Sequence, residues 1–316
     1  LPMPEESGEP FSCPTGTEAH TCGHDFHAAM LLTAAKMLKE NEAALDGMVK
    51  LMFQPGEEPL TGARSMIADG LLQDPRPDVA LGYHVVAGSM PMGLFVYNRE
   101  GTLMNSSDNF IIDIQGKGGH GAYPDACIDP INIAAHMILA LESVVAREIK
   151  STQASVLTIG KVTAGDAPNI IPDQAQLQGT LRCDSEKERE FILQRLSEVV
   201  DAVAKMYRGS ATITMLAGTP PLICDPQSVD DFVGYMRELD VPGQCEHVGM
   251  HAASSEDFSA VLSEIPGAYM FLSAGFTDGR ETYNQHHPKV EFNEEVMKSG
   301  AAYLAHCATR WLEEHK

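Results

Sequence analysis

Residues 48–85, MVKLMFQPGEEPLTGARSMIADGLLQDPRPDVALGYHV, decide the fold class of this chain. An apolar run at 48–53 ends in a Pro-Gly turn, a helical pattern follows at 62–72, and a second apolar run occupies 79–85. These three segments predict a strand, a helix and a buried strand. With the Ala- and Leu-rich helix predicted at 26–40, the alternation favours a mostly parallel sheet with helices on its faces.

A different pattern occupies residues 105–217. Apolar alternation predicts four strands, at 107–115, 155–163, 174–183 and 211–216. Two long amphipathic helices are predicted at 129–149 and 185–207. Their order along the chain is β-α-β-β-α-β, which is typical of a ferredoxin-like unit.

The first pattern resumes after a Pro-Pro pair, with a helix predicted at 255–264, a strand at 267–274 and a C-terminal helix at 293–315. We therefore predict an α/β fold made of two domains. Its catalytic domain comprises residues 1–104 plus 218–316, in a mixed, mostly parallel sheet with helices on both faces. A ferredoxin-like α+β domain at 105–217 interrupts it and is predicted to act as a lid and dimerisation domain.

Composition excludes several classes of protein. Of 316 residues, 44% are hydrophobic and 21% charged, which is ordinary for a globular protein and unlike a disordered or coiled-coil chain. No apolar run approaches the length of a membrane-spanning helix. The 44 acidic and 22 basic residues give a formal charge of −22, so we expect no nucleic-acid partner.

The cysteines predict a reducing compartment. There are seven, an odd number, widely spaced and without a CxxC pair, so they do not form a disulfide framework. No secretory signal is visible at the start of the chain, and we expect a cytoplasmic protein. The chain begins with Leu1 rather than Met, which leaves open that it is a fragment.

A cluster of metal-binding side chains lies at residues 20–27, HTCGHDFH. Thiolate and imidazole together suit zinc or another borderline transition metal. Cys22 and His24 point the same way on an extended segment, whereas His24 and His27 share a face of a helix. Spacing alone therefore leaves the choice of ligands open, and a loop with a buried cysteine and exposed histidines stays the alternative.

Glu57 and Glu58 follow the apolar run 48–53, at the kind of strand end where open α/β sheets place active sites. Neighbouring side chains on an extended backbone point apart, so one carboxylate can bind a metal while the other serves as a general base. For this pair alone, a solvated acidic turn is the simpler interpretation. His84 ends the run 79–85 and is a further candidate ligand, or else a hydrogen-bonded core histidine.

Five more candidate residues lie further along the chain. His286 and His287 precede a proline that holds them extended, so only one is expected to face a shared site. His120 lies in the glycine-rich segment GGHGAYP, where a ligand can approach the backbone closely, or where a hairpin simply turns. Asn169 also lies in the predicted insert. Arg182 offers a bidentate partner for a carboxylate, although a surface role is commoner.

Taken together, these segments resemble a known family. HTCGHDFHAAMLLTAA, FQPGEE, LGYHV, GKGGHGAYP, PNIIPDQAQLQGTLR, SSEDFS and HHP stand in the order found in the M20 metallopeptidases. The chain is most similar to the amidohydrolase branch, which holds hippurate hydrolases, N-acyl-amino-acid amidohydrolases and auxin-conjugate hydrolases. The resemblance covers essentially the whole chain, and the CGHD-x-H and PGEE motifs are quite specific.

The resemblance implies a site with two divalent metal ions, zinc, manganese, cobalt or nickel. It implies five metal ligands: Cys22, which bridges the two ions, and His24, Glu58, His84 and His286, with His287 the less favoured alternative. Glu57 is implied as the general base and His120 as the residue that stabilises the tetrahedral intermediate, across the subunit boundary in family dimers. Asn169 and Arg182 are implied to face the substrate.

The implied activity is hydrolysis of the amide bond of N-acyl amino acids, such as N-acetyl or N-benzoyl derivatives. The expected partner is a small N-acyl amino acid or short peptide, with neither nucleic acid nor membrane. A homodimer or higher homo-oligomer through the inserted domain is also implied, and strand 107–115 is a candidate dimer edge unless it is covered.

The resemblance also shows departures. In relatives a segment precedes the Leu-Pro start, supplying strands to the catalytic sheet and an Asp behind the metals. Gln285 and Val290 stand where leucine and an aromatic residue are common. The alternatives are a dipeptidase or carboxypeptidase of the same family, a truncated metal-binding homologue without turnover, a structural zinc protein and an inactive gene remnant. Retention of Glu57 argues against a binding-only role, which needs ligands but no base.

Overall fold

The computed structural model describes residues 1–241 and 243–315. Seven α-helices lie in this part of the chain: α1 His24–Glu40, α2 Gly62–Ala68, α3 Pro130–Glu148, α4 Glu186–Met206, α5 Pro226–Arg237, α6 Ser259–Leu262 and α7 Val296–Glu314. The strands of the same ranges are β1 Ala80–Val86, β2 Leu94–Tyr97, β3 Thr102–Met104, β4 Ser107–Gln115, β5 Gly119–His120, β6 Ser155–Ala164, β7 Ile170–Ile171, β8 Gln174–Cys183, β9 Ser210–Thr219, β10 Leu222–Ile223, β11 Cys245–Val248 and β12 Gly267–Ser273.

The first sheet has the strand order β1-β12-β2-β11. β1 runs parallel to β12 and β11 parallel to β2, while β12 and β2 are antiparallel. All seven residues of β12 are buried, which requires cover on both faces of the sheet. Side chains of α1, α5 and α7 share its main apolar core, and α2 packs against α6 in a smaller one. The predicted mixed, mostly parallel α/β sheet is thus confirmed.

A second sheet of four strands has the order β6-β8-β4-β9, and every pairing is antiparallel. Alternate residues of β4 and β8, such as Ile112 and Leu177, are fully buried in one core with the apolar stripes of α3 and α4. The opposite face is polar, and on it Gln178 donates to Gln176, whose amide donates to Asp113. Both helices thus cover one face of the sheet, as the alternation in the sequence requires.

β4 lies inside the second sheet, between β8 and β9. Strand 107–115 is therefore covered on both edges, which is the alternative that the sequence left open, and it is not a dimer edge. Both sides of its backbone are already paired, and the edge strands are β6 and β9. A period-two pattern identifies a half-buried strand but contains no information about its place in the sheet.

The chain passes between the two cores at two adjacent places, after β3 and before β10, and these short strands pair antiparallel. Two side-chain contacts connect the end of β9 to α2 and α6. Arg64 of α2 donates from Nε to the carbonyl of Gly218 at 3.2 Å. The hydroxyls of Thr219 and Ser259 lie 2.7 Å apart in a buried hydrogen bond. The crossing between β9 and β10 is thus joined to α2 and α6.

The strand predicted at 48–53 does not form. These residues form no regular secondary structure and have no strand partner within residues 1–241 and 243–315, where β1 pairs with β12 alone. Met48, Leu51 and Phe53 remain exposed, while Met52 contributes to the small core of α2 and α6. Hydrophobicity predicts that a segment is extended and partly buried, but a strand also needs a neighbouring backbone with which to bond.

Other differences concern boundaries and short elements. The helix predicted at 255–264 is reduced to α6, and that at 62–72 to α2. Sequence analysis missed α5, although an Asp225 N-cap that accepts from the Ser228 amide and a proline in the first turn mark its start. It also missed the short strands β2, β3, β10 and β11. No helix in the two described ranges combines the length and apolar character needed to span a bilayer.

Candidate metal centre

The first candidate ligands are placed where the segment before α1 turns into the helix. His24 is the first residue of α1, and Gly23 before it has the left-handed φ of 87°. A Cβ at that glycine would lie 2.5 Å from Cγ2 of Val85, so only glycine permits this approach to β1. The turn brings the Cys22 Sγ within 3.4 Å of the His84 Nε2.

His84 is a buried residue of β1 with one nitrogen already engaged. Its Nδ1 lies 2.6 Å from the carbonyl oxygen of Val85, and because a carbonyl can only accept, Nδ1 carries the proton. Nε2 is therefore left with its lone pair towards Cys22. A backbone carbonyl that fixes the tautomer in this way is usual for metal-binding histidines.

Glu57 and Glu58 lie on the turn that connects residues 48–56 to α2. The Glu57 Oε2 is 3.6 Å from the His24 Nε2, and the Glu58 Oε1 is 3.4 Å from the His286 Nε2. Both His24 Nε2 and Glu58 Oε1 are buried atoms without a hydrogen-bond partner in the protein. Buried polar atoms of this kind normally have a partner, so both atoms fit a bound cation.

The two histidines of the HHP motif are used differently. His286 has a φ of 65°, and its amide donates to the carbonyl of Thr21 at 2.8 Å. This left-handed conformation, uncommon outside glycine, directs its ring to Glu58. His287 instead stacks on Tyr283 with ring centroids 4.1 Å apart, and its Nδ1 accepts from the Lys289 amide. The structure therefore places His286, and not His287, in the cluster.

Two sets of potential ligands share one thiol. Cys22, His24 and His84 have ligand atoms within 4.8 Å of one another, and so do Cys22, Glu58 and His286. A sulfur common to two sets of three would allow two neighbouring cations to share one ligand. Thiolate, imidazole and carboxylate suit zinc and other first-row divalent metals.

Burial sets the electrostatics of this cluster. It lowers the pKa of His24 and lowers that of His84 to about 4, so both imidazoles are neutral near pH 7. It also raises the pKa of the Cys22 thiol well above its usual value, with Glu58 and Glu57 acting in the same direction. Burial, followed by the charges of Glu256 and Glu58, raises the pKa of Glu57 to about 9. Without a cation the site therefore retains protons that a metal would displace.

Three residues of the cluster had no assigned role in the sequence analysis. Glu256 and Asp257 of the SSEDFS motif are buried carboxylates, and each has an oxygen within 4.8 Å of one on Glu57. Glu256 accepts from the Tyr269 hydroxyl at 2.6 Å. His27 lies beneath His84, and its Nε2 accepts from the Val85 amide at 3.0 Å, which makes it a structural histidine. In the sequence, the signal that could have identified Glu256 and Asp257 was an adjacent acidic pair next to apolar residues.

The remaining predicted residues lie on the second sheet or beside it. His120 of β5 pairs with Ile170 of β7, and the carbonyl of Asn169 accepts from the Gly121 amide, so one short ribbon holds His120 and Asn169. Arg182 lies on β8, half-buried, and donates to its neighbouring Leu181 carbonyl. The hydrogen bonds, ion pairs and ring contacts found within residues 1–241 and 243–315 do not connect these three to the metal-ligand cluster.

Comparison with known sequences agrees with the resemblance found above. The profile of peptidase family M20/M25/M40 matches residues 1–310. The N-acetyl-L-cysteine deacetylase of Bacillus subtilis (strain 168) is 33% identical, over 100% of this chain and 73% of that protein. The IAA-amino acid hydrolase ILR1-like 5 of Arabidopsis thaliana is 37% identical, over 93% of this chain and 67% of that protein.

A solved structure shares the fold. It is a Bacillus subtilis protein described as a dinuclear metal-binding peptidase from the M20 family. It superposes with a TM-score of 0.78 and 29% identity, over 99% of this chain and 79% of that one. The fold around the two ligand sets is thus the fold of a protein that binds two metals.

The raised pKa of Glu57 predicts how metal-free stability depends on pH. Its folded value of about 9 lies above the ordinary 4.5, so between those values the native state holds a proton that the unfolded chain releases. The free energy of unfolding therefore falls as pH rises through that window. His84, with its pKa lowered from 6.5 to about 4, acts in the opposite direction, but only below pH 6.5.

Denaturant unfolding of the chelator-treated protein at several pH values from about 6.5 to about 9 measures this slope. We expect Glu57→Gln to flatten it, because glutamine does not titrate. A slope equally steep in Glu57→Gln would contradict the assignment of this pH dependence to Glu57. Glu294→Gln, an exposed position before α7, is the matched control and should keep the wild-type slope.

Proposed function

The chain belongs to peptidase family M20/M25/M40 and is a hydrolase, and on that premise we propose that it is a metal-dependent amidohydrolase of N-acyl amino acids. It would release a carboxylate and a free amino acid. The observation that carries the proposal is the pair of ligand sets sharing Cys22, with the carboxylate of Glu57 beside them.

The metal ions of this family are two divalent cations. We assign Cys22, His24, Glu58, His84 and His286 as their ligands, and the donor set is compatible with zinc, manganese, cobalt or nickel. When bound, the two cations polarise the scissile carbonyl and make a water molecule more acidic. The neutral imidazoles of His24 and His84 are ready to coordinate near pH 7 without first losing a proton.

Glu57 is proposed as the general base. It takes a proton from the attacking water and passes one to the amine nitrogen as the C–N bond breaks, so the carboxylate is regenerated. Two features support this role. Its side chain is mostly buried, at 21% exposed, and it lies 3.6 Å from His24. Burial, followed by the charges of Glu256 and Glu58, raises its pKa and hence its proton affinity, which favours acceptance of a proton.

Residues of the second sheet are proposed to contact the substrate. His120 would donate a hydrogen bond to the developing oxyanion, as polar donors do in other acyl-transfer sites. Asn169 lies on the same ribbon as His120 and is proposed to face the substrate. Arg182 would bind the carboxylate of the amino acid. Burial lowers its pKa because it disfavours the charged guanidinium, and a bound carboxylate would offset that cost.

We also propose the domain division expected from the sequence, with residues 1–104 plus 218–316 around the metals and residues 105–217 as a lid. Separate apolar cores on the two sheets and the paired crossings at β3 and β10 support it. Homodimerisation through residues 105–217 is proposed with it. All seven cysteines are free thiols, which supports the proposed location in the reducing cytoplasm.

Hydrolysis of a panel of substrates tests the activity. N-acetyl and N-benzoyl amino acids and a few dipeptides are incubated with protein loaded with Mn²⁺ or Zn²⁺, and the free amino acid is measured. We expect release that a chelator abolishes and that added metal restores. Cleavage of dipeptides alone would favour a dipeptidase instead, and no release from folded, metal-loaded protein would contradict the proposal.

Glu57→Gln is expected to retain bound metal and to lower kcat by roughly 10²–10⁴-fold, the usual contribution of a general base. Glutamine keeps the size and polarity of the side chain but cannot accept the proton. Metal content by elemental analysis and kcat on the best substrate of the panel are the two measurements. The exposed control Glu294→Gln should match wild type, and full activity of Glu57→Gln would remove this residue from the mechanism.

His120→Ala is expected to lower kcat by about 10²-fold or more, as for the loss of an oxyanion donor, with metal content unchanged. The control is His247→Ala, an exposed histidine on β11. Loss of metal in His120→Ala would instead identify His120 as a ligand. A kcat equal to that of the control would exclude it from the reaction.

A further inference from the structure

Asp257 is a buried carboxylate, 1% exposed, located just before α6. One of its oxygens, Oδ1, accepts a hydrogen bond from the side-chain amide of Gln54. The other, Oδ2, accepts from the backbone amide of Ala63 at 3.0 Å. These two donors are about 200 residues away in sequence, and they stand on either side of Glu57 and Glu58.

The segment between the two donors, residues 54–63, is a compact turn with an unusual backbone. Gly56 and Leu60 both have positive φ, of 67° and 57°. The amides of Thr61 and Gly62 both donate to the carbonyl of Gly56, and a Cβ at Gly62 would lie 1.8 Å from the carbonyl oxygen of Pro55. Positive φ at a leucine costs free energy and persists only where surrounding contacts hold it.

The segment that leads into α6, residues 256–259, is hydrogen-bonded to several other elements, which makes it a firm support. Glu256 binds the Tyr269 hydroxyl on β12, and Ser259 shares a hydrogen bond with Thr219 at the end of β9. Asp257 lies between these two residues, and both of its carboxylate oxygens accept hydrogen bonds from the ends of the turn 54–63. Asp257 therefore attaches this turn to the segment before α6. The carboxylate holds the two ends of the turn at a fixed separation.

We infer that Asp257 is a positioning residue, which holds the Glu57–Glu58 turn in the conformation that presents one carboxylate to metal and the other to the attacking water. This inference rests on the proposed function, since it takes Glu58 as a ligand and Glu57 as the base. Outer hydrogen bonds of this kind commonly change metal affinity or activity by about 10–100-fold. A displacement of about 1 Å at a catalytic group can lower a rate by about 10²-fold.

The test compares three variants with wild type. Asp257→Ala removes both hydrogen bonds, and Gln54→Leu removes one and leaves the Ala63 bond in place. Asp257→Asn is the conservative variant, because its oxygen can accept from Ala63 while its amide donates to the Gln54 oxygen after that side chain rotates. Glu264→Gln, at an exposed acidic position shortly after α6, is the matched control.

Mn²⁺ affinity by calorimetry is the first readout, and it does not depend on turnover. We expect Asp257→Ala to bind Mn²⁺ about 10–100-fold more weakly than wild type, Gln54→Leu to fall between the two, and Asp257→Asn and the control to stay close to wild type. At saturating metal, Asp257→Ala should lower kcat by about 10²-fold with little change in KM. Denaturant unfolding reports how much of each variant is folded.

Wild-type affinity in folded Asp257→Ala or in Gln54→Leu would overturn the inference. So would an equal loss in Asp257→Asn and Asp257→Ala, which would assign the effect to charge rather than to hydrogen bonds. Should Asp257→Ala not fold, Gln54→Leu decides the question alone. If wild-type protein binds Mn²⁺ but hydrolyses no amide, the proposed function is wrong. The ratios of Mn²⁺ affinity between the variants and wild type would still test the role of Asp257.

Discussion

The arrangement of this protein depends on an electrostatic constraint at the Cys22 thiol. Carboxylates and a thiol converge in a desolvated place, and the charges that act on Cys22 and Glu57 there are those of other carboxylates. Buried like charges are unfavourable unless they retain protons or share a cation. The strongly raised pKa values of Cys22 and Glu57 are the consequence in the metal-free protein. A pair of divalent ions would neutralise these buried charges. The composition of the site therefore favours metal binding independently of any substrate.

Unusual backbone conformations in the surrounding fold bring these groups together. Gly23 adopts a left-handed conformation beside β1, His286 does so despite its side chain, and the Glu57–Glu58 turn contains two more such residues, Gly56 and Leu60. Each of these positions is next to a proposed ligand or lies on the same turn. Leu60 and His286, two of the four non-glycine residues with positive φ in the described ranges, thus lie at the proposed metal site, and the fully buried strand β12 supports the adjoining β1.

Sequence reasoning predicted the parts of this protein that depend on local pattern. The bounds of β4 were predicted without error and those of α3 and α4 to within one residue, because a half-buried strand and amphipathic helices have distinct periods. The strand predicted at 48–53 does not form, because strand pairing depends on two segments and a sequence pattern describes only one. The five proposed ligands came together because their motifs are specific, whereas Asp257 was missed because its partners, Gln54 and the Ala63 amide, are distant in sequence.

The shared thiol has one more consequence, in redox chemistry. Because Cys22 belongs to both ligand sets, oxidation of a single sulfur atom would disable two metal sites at once. The thiolate, and not the thiol, is the form that reacts with oxidants. Burial, with Glu58 and Glu57 acting in the same direction, raises the pKa of Cys22 in the absence of metal and therefore also keeps this shared sulfur slow to oxidise.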